Sequence, residues 1–284
     1  MAAAEEHEGS GAYVLHHLTN LKLDLHTMAL STEAKGFWVL NLDSVVFSLV
    51  LGTVFLFVLL KAAATARAGK SSGLLNFVEM VIEFWQKQVL EVFPKADPLV
   101  VPLALTIFVW VLFMNFMDII PVDLLPFLAG HAGLSHLRIV PSTDVNITFG
   151  LSLSVFLLII LYNLIFKGPV GFLKEVLTHP FGPWLAPVNL VLRIVEEIAR
   201  PVSLALRLFG NLFAGELIFV LIALLLAQAR TGAAGIGLAG LGFLADLVWA
   251  FFHLLVIPLQ AFVFAVLTVV YLSTAASSHS DDHH

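Results

Sequence analysis

Residues 200–219, RPVSLALRLFGNLFAGELIF, place two arginines, an asparagine and a glutamate in a segment that is otherwise apolar enough to lie in a lipid bilayer. A charged side chain at mid-membrane costs from about 2.5 to over 10 kcal/mol, so such residues are rare and usually line an ion path or meet a partner. A chain with this segment must therefore fold so that its charged groups avoid the lipid.

A helix with 100° per residue separates these polar groups onto two faces. Arg200, Arg207 and Asn211 fall within one narrow arc, whereas Glu216 lies on the opposite side. Arginine does not lose its proton in proteins, so Arg207 is expected to be a fixed positive charge. Glu216 can bind and release a proton, which makes it a candidate for a proton relay.

The composition extends the membrane interpretation to the whole chain. Of 284 residues, 60% are hydrophobic and 12% are charged, and the mean hydropathy is +0.98. Soluble globular domains do not reach these values, so we predict an all-α polytopic membrane protein. The absence of cysteine excludes disulfides, thiol catalysis and cysteine-ligated metal centres. We expect no cofactor and no metal site, and the acidic first ten residues lack the pattern of a cleaved signal.

Five stretches are long enough to cross the hydrocarbon core, which takes about 20 helical residues. The predicted spans cover residues 44–64, 99–120, 146–166, 187–228 and 244–272, after an N-terminal segment of residues 1–43. The fourth would measure roughly 60 Å, about twice the hydrocarbon thickness. We therefore expect the last two helices to be strongly tilted, the fourth with a bend at Pro201, rather than folded there into a hairpin.

The segments between the spans are predicted from their polar, proline and glycine residues. Residues 73–93 carry charges at spacing of four and are expected to form an amphipathic helix on the membrane surface, ended by Pro94. Residues 13–25 are interpreted as a short interfacial helix, residues 168–186 as a loop and residues 229–242 as a turn.

Basic residues lie at or just after the ends of the first and third predicted spans, at Lys61, Arg67, Lys70, Lys167 and Lys174. Lysine and arginine accumulate in cytoplasmic loops. This bias predicts a periplasmic N-terminus and, after five spans, a cytoplasmic C-terminus.

Other polar residues mark candidate paths. Asp118 near the end of the second span either lines an aqueous inlet or caps the helix, and Ser142 belongs to a PSTD segment that is expected to cap the third span. Asp246, His253 and Gln260 are spaced by seven and share one helix face, which fits either a half-channel lining or a seam against the preceding helix. Proton paths are built from such carboxylate and imidazole groups, so His253 beside Glu216 is a candidate relay.

Several segments resemble a known family. PLALTIFVWVLFMNFMDIIPVDLLP, VPSTDVNIT, PVSLALRLFGNLFAGELIF and LQAFVFAVLTVVYLS occur in this order, and together with HHLTNLKLDL they are spread over nearly the whole chain, from residue 16 to residue 273. They resemble subunit a of the membrane sector of F-type ATP synthases, in its bacterial form.

The resemblance implies a proton-translocating stator subunit of the bacterial inner membrane, with no catalytic site of its own. Two offset half-channels would carry protons to and from carboxylates of the c-ring, and the arginine of the RLFGN motif would prevent a short circuit. The other implied partners are subunit b of the peripheral stalk, the F1 sector and the lipid bilayer, with no nucleic acid. The implied proton-translocating residues are Arg207, Asn211, Glu216, His253 and Gln260, and the implied half-channel lining is Asp118, Ser142, Asp246, Glu196 and Arg200.

Some points stay open. Arg193 stands where relatives often carry an acid, so either Glu196 or Glu197 is expected to line the cytoplasmic exit. Asp246 adds a carboxylate where a neutral residue is expected. The sequence does not decide between proton and sodium coupling. The alternative function is a stand-alone ion-coupled secondary transporter, but transporters often show internal repeats and no repeat is evident here.

Overall fold

The computed structural model describes residues 20–31, 36, 38–69, 71–120, 138–227 and 233–277. Over these residues the chain is almost entirely helical. The helices are α1 (Leu42–Arg67), α2 (Gly73–Val92), α3 (Val100–Phe116), α4 (Val145–Thr178), α5 (Ala186–Ala227) and α6 (Ala233–Ala276), and short 3₁₀ turns cover Met117–Ile119, Pro141–Thr143 and Pro183–Leu185.

Five of these helices, all except α2, are long and apolar enough to cross a membrane. The predicted fold class, an all-α polytopic membrane protein, is therefore confirmed. Helices α5 and α6 have 42 and 44 residues. At 1.5 Å per residue each measures over 60 Å, about twice the hydrocarbon thickness, so neither fits upright in a bilayer over its full length.

The N-terminal segment forms a small sheet instead of the expected interfacial helix. Strand β1 (Lys22–Asp24) pairs antiparallel with β2 (Ala29–Ser31) on one side and with β3 (Val39–Asn41) on the other. Apolar and polar residues alternate through LKLDL, and this period of two is the pattern of a strand. The helix prediction for residues 20–25 was therefore wrong, and residues 13–19 lie outside the described part of the chain.

Helix α2 has the predicted amphipathic character. The Ser72 hydroxyl caps its start by accepting a hydrogen bond from the Leu75 N–H at 3.1 Å. The helix ends at Val92, two residues before Pro94, as the proline requires. Its charged residues are exposed, and Lys87 lies 3.3 Å from Glu83 one turn away.

Two predicted connections are helical. Helix α4 continues beyond the third predicted span to Thr178, with a break at Gly168, whose φ of 68° interrupts the helix. Pro169 follows directly, in the first turn of the second piece, where the missing N–H costs nothing. The loop prediction for residues 168–186 was therefore wrong up to residue 178.

Helix α6 begins at Ala233, so the turn prediction was wrong for residues 233–242. The glycines of this segment lower helix propensity but let another helix approach closely. A Cβ added at Gly242 would lie only 3.0 Å from Leu226 Cγ of α5. Close packing of α5 on α6 therefore outweighs the local preference for a turn.

The described residues fall into two compact units. The first unit comprises the described residues within 1–56, 110–147 and 209–261, and the second comprises those within 57–109, 148–208 and 262–284. In the second unit the fully buried Trp85 of α2 packs on Phe108 and Phe262, with ring centroids 5.0 and 5.8 Å away. The first unit holds the buried ionisable residues described next.

Candidate functional site

Glu216 lies on α5 and is buried in the first unit, where its carboxylate forms an ion pair with Arg138. The two side chains are only 4% and 8% exposed. A buried carboxylate is tolerated when a cation and hydrogen bonds compensate its charge. Arg138 supplies this compensation from the segment that leads into the Pro141–Thr143 turn.

Arg138 is held in place by the start of the chain. The Asp43 carboxylate accepts the backbone N–H of Arg138 at 3.1 Å and that of Leu21 at 2.9 Å. Asn20 Oδ1 lies 3.4 Å from the guanidinium, which also sits 5.8 Å from the centre of the Phe213 ring. These contacts join three distant segments of the first unit and direct the guanidinium toward Glu216.

His253 of α6 and Asp118 form a second buried ionisable pair in the same unit. The His253 imidazole Nε2 contacts the Asp118 carboxylate, and both side chains are 2% exposed. The imidazole also lies against α5, because a Cβ added at Gly215 would be 2.8 Å from His253 Nδ1. Gly215 precedes Glu216, so the two pairs are neighbours, and we call Asp118, Arg138, Glu216 and His253 the polar cluster.

Several buried polar atoms of the first unit have no hydrogen-bond partner within the described ranges. They are Asn115 Oδ1, Arg138 Nε, Ser142 Oγ and Trp249 Nε1. Each buried unsatisfied group costs about 1–3 kcal/mol. Buried polar groups of this kind are commonly satisfied by ordered water. The polar cluster thus combines titratable side chains with buried polar atoms that can accept a further hydrogen-bond partner.

Asp118 and Ser142 are both buried in the first unit. Asp118 lies in a 3₁₀ turn and contacts His253 rather than only capping a helix end. At the start of α4, Asp144 accepts the Asn146 N–H at 2.9 Å, so the PSTD segment caps this helix as expected, through Asp144.

The other predicted residues of the first unit stand apart from the polar cluster. Asn211 is exposed, and Gln260 and Asp246 are half-buried. Within the described part of the chain, none of the three forms a hydrogen bond or an ion pair. Asn115 Nδ2 does reach the backbone carbonyl of Ile257, close to Pro258, at 3.5 Å.

Arg207 belongs to the second unit and is half-buried. Among the residues that the structure describes, none forms a hydrogen bond or an ion pair with its side chain. By contrast, Arg200 and Arg193, which lie seven and fourteen residues earlier on α5, are paired with glutamates. Arg193 lies 2.8 Å from Glu197, and Arg200 pairs with both Glu196 and Glu197. Arg207 is therefore a cation without an acidic partner in the described chain.

The Arg200 network lies in the second unit and is partly open to solvent. The Arg200 guanidinium stacks 5.4 Å from the centre of the Tyr271 ring. Glu196 is 54% exposed and Glu197 is 15% exposed. Both carboxylates are paired with arginines.

Sequence reasoning missed Arg138, Asp43 and Asn20 as contributors to the site. Arg138 lies between the second and third predicted spans, and its ion pair joins residues 78 positions apart. The available signal was an arginine directly before the apolar residues of IVPSTD, a segment that leads into a membrane helix. An arginine at such a position needs an acceptor when its neighbours are buried.

Comparison with known proteins agrees with this architecture. The model of the family described as ATP synthase A chain matches residues 45–273. ATP synthase subunit a of Halorhodospira halophila is 49% identical over 281 residues, which cover 98% of this chain and 100% of the relative. ATP synthase subunit a 1 of Methylococcus capsulatus is 51% identical over 280 residues, with 98% and 100% coverage.

ATP synthase subunit a of Thiobacillus denitrificans is 49% identical over 284 residues, covering 97% of this chain and 99% of the relative. These bacterial relatives and the five membrane helices indicate a multi-pass protein of the inner membrane. The family match covers most of the chain and the relatives align over almost their full length, so the chain belongs to the ATP synthase subunit a family.

Proposed function

We propose that the chain is the proton-translocating stator subunit of an F-type ATP synthase. Two offset half-channels carry protons to and from carboxylates of a c-ring, and proton flow turns the ring to drive ATP synthesis. The chain contacts the c-ring and the subunit b stalk in the membrane and acts on the F1 sector through the complex. Its N-terminus is periplasmic and its C-terminus is cytoplasmic.

The observation that carries this proposal is the polar cluster in the first unit. Asp118, Glu216 and His253 are all titratable side chains, and they are buried in a unit that also holds polar atoms without a hydrogen-bond partner in the described residues. Ionisable groups within a membrane protein are costly unless they serve an ion or proton path. We assign the cluster to the periplasmic half-channel, with Asn211 and Gln260 leading from it toward the ring and Ser142 at its mouth.

Arg138 sets the state of Glu216 in this scheme. The fixed guanidinium favours an ionised Glu216, which is the form that accepts an incoming proton. Protonation weakens the ion pair, and proton release restores it. Arg138 thus holds the acceptor ready without itself exchanging a proton.

Arg207 has the properties required of the residue that faces the ring. It is a permanent cation, half-buried, and without an acidic partner in the described residues. Two unit charges about 4 Å apart attract by about 4 kcal/mol at an effective dielectric constant near 20. A ring carboxylate passing Arg207 would therefore lose its proton and stay ionised.

A fixed charge at this position also separates the two half-channels. A proton approaching a guanidinium is repelled and finds no group that accepts it, so it crosses only by riding on the ring. Each proton that moves down 100 mV releases about 2.3 kcal/mol, which rotation passes to the soluble head. The partly exposed Arg193, Glu196, Glu197 and Arg200 network is our candidate for the cytoplasmic exit.

The test is ATP-driven proton pumping by inverted membrane vesicles that contain the complete complex. We expect Arg207→Ala to abolish pumping, because the cation that discharges the ring carboxylate is gone, while the complex still assembles. The control is Lys61→Ala, which removes an exposed cation near the end of α1 and should leave pumping unchanged. Normal pumping by the Arg207→Ala complex would refute the proposal.

A further inference from the structure

A cavity of about 390 Å³ lies beside the break in α4, in the second unit. Its polar lining consists of Lys167, Lys174, Glu175, Thr178 and His179. None of these residues belongs to the polar cluster or to the Arg200 network. The volume is within the range of about 300–1,000 Å³ that small-molecule pockets occupy.

The length of α4 sets the depth of this cavity in the membrane. The 22 residues from 145 to 166 span about 33 Å at 1.5 Å per residue, which matches the hydrocarbon core. Lys167 and the break at Gly168 follow directly, so they lie at the level of the lipid headgroups. The cavity therefore opens where phosphate groups of one leaflet are present.

The charges in the cavity favour an anion. Lys167 is 9% exposed, and its ammonium group lies 2.8 Å from the Glu175 carboxylate and 3.5 Å from the Thr274 carbonyl, which fixes it in the wall. Lys174 is exposed, and within the described ranges it has no acidic partner. Two lysines against one glutamate leave an excess of one positive charge.

The surroundings of the cavity are suited to lipid. Ile165, Val170 and Leu173 on both sides of the break are 72%, 79% and 58% exposed, and in a bilayer they meet acyl chains. Trp184 in the following turn is 97% exposed. Tryptophan is enriched at the membrane–water interface, which agrees with the depth derived from α4.

We propose that this cavity binds the phosphodiester headgroup of an anionic phospholipid. Lys174 and the remaining donor capacity of Lys167 contact the phosphate oxygens, and the exposed aliphatic residues around the break contact the acyl chains. A zwitterionic lipid fits less well, because its headgroup carries a positive group that the two lysines repel. Basic pockets at the ends of membrane helices recognise headgroups in this way.

The test measures lipid retention by the purified complete complex with native mass spectrometry, after exchange into phosphatidylglycerol or phosphatidylcholine. We expect phosphatidylglycerol to be retained preferentially. Lys174→Gln should weaken its binding about fivefold, which corresponds to about 1 kcal/mol per lysine near the headgroups. The matched control, Lys95→Gln, removes one exposed lysine outside the cavity and should change binding less than twofold.

A second variant tests the wall of the cavity without leaving a buried carboxylate unpaired. Lys167→Gln combined with Glu175→Gln keeps the local charge and should still weaken phosphatidylglycerol binding, because the oriented ammonium donor is lost. Equal retention of both lipids, or equal losses in Lys174→Gln and Lys95→Gln, would overturn the proposal. Displacement of the lipid by inorganic phosphate at equal concentration would identify a free-anion site instead. Since the readout is lipid binding, its result is independent of proton pumping.

Discussion

Replacement of Arg138 by methionine removes the cation that compensates Glu216 but keeps a long side chain that fills much of the same space. The carboxylate then stays buried, since Glu216 is 4% exposed in the ion pair. Breaking a buried pair by removing one partner costs about 3–5 kcal/mol. Solvent screening does not reduce this value much, because both side chains are almost completely enclosed.

A double-mutant cycle isolates the contribution of the pair. Glu216→Gln added to Arg138→Met removes the uncompensated charge, so the double variant should regain about 2 kcal/mol or more of the loss in free energy of unfolding. The assay is denaturation of the purified full-length chain in mixed micelles with sodium dodecyl sulfate, followed by tryptophan fluorescence.

The control for this cycle is the exposed Glu83–Lys87 pair of α2, whose side chains are 69% and 74% exposed. Lys87→Met should change stability by less than about 0.5 kcal/mol, because exposed ion pairs contribute little. If the effects of Arg138→Met and Glu216→Gln are additive, their coupling energy will be no larger than the small stability change of Lys87→Met. That result would show that the two groups do not compensate each other and would refute the reasoning.

Two further substitutions test packing around the site and in the second unit. Gly215→Ala places a Cβ against the His253 ring and should lower ATP-driven proton pumping severalfold. The control is Gly210→Ala, where no atom lies within 4 Å of the added Cβ, and it should leave pumping unchanged. Equal pumping by both variants would contradict the contact between Gly215 and His253. Trp85→Ala should lower the free energy of unfolding in detergent by about 3–5 kcal/mol, because Trp85 is fully buried. Trp184→Ala, at an exposed position, should lower it by less than about 0.5 kcal/mol. A similar small change in both variants would show that Trp85 is not part of a packed core.

The membrane helices could be predicted because their signal is local and strong. A long apolar run predicts a membrane helix whatever the helix packs against, so α1, α3 and α5 can be predicted from the sequence alone. The errors fall where two local preferences compete. Gly168 and Pro169 indicate a loop but permit a restarted helix, and the glycines after Ala233 lower helix propensity yet allow α6 to pack closely on α5.

The site was predictable only along single helices. The spacing of seven places Asp246, His253 and Gln260 on one face of α6, and the 3.6-residue period separates Arg207 from Glu216 on α5. Which residues meet across segments is a different question, because partners far apart in sequence share no periodicity. Arg138 therefore remained unassigned, although it forms the ion pair of Glu216.

The buried acids of the first unit outnumber its buried cationic groups. Asp43, Asp118, Asp144 and Glu216 are buried carboxylates, whereas Arg138 is a fixed cation and His253 is a titratable one. Full ionisation of four acids against at most two positive charges would leave a net negative charge, which low-dielectric surroundings oppose. Asp43 already accepts backbone N–H groups from Leu21, Ser44 and Arg138, and Asp144 accepts the Asn41 side-chain amide and the Asn146 N–H. Asp118 and Glu216 instead contact His253 and Arg138. These two carboxylates therefore depend on side chains of the polar cluster for compensation, which is why the proposed proton path runs through that cluster.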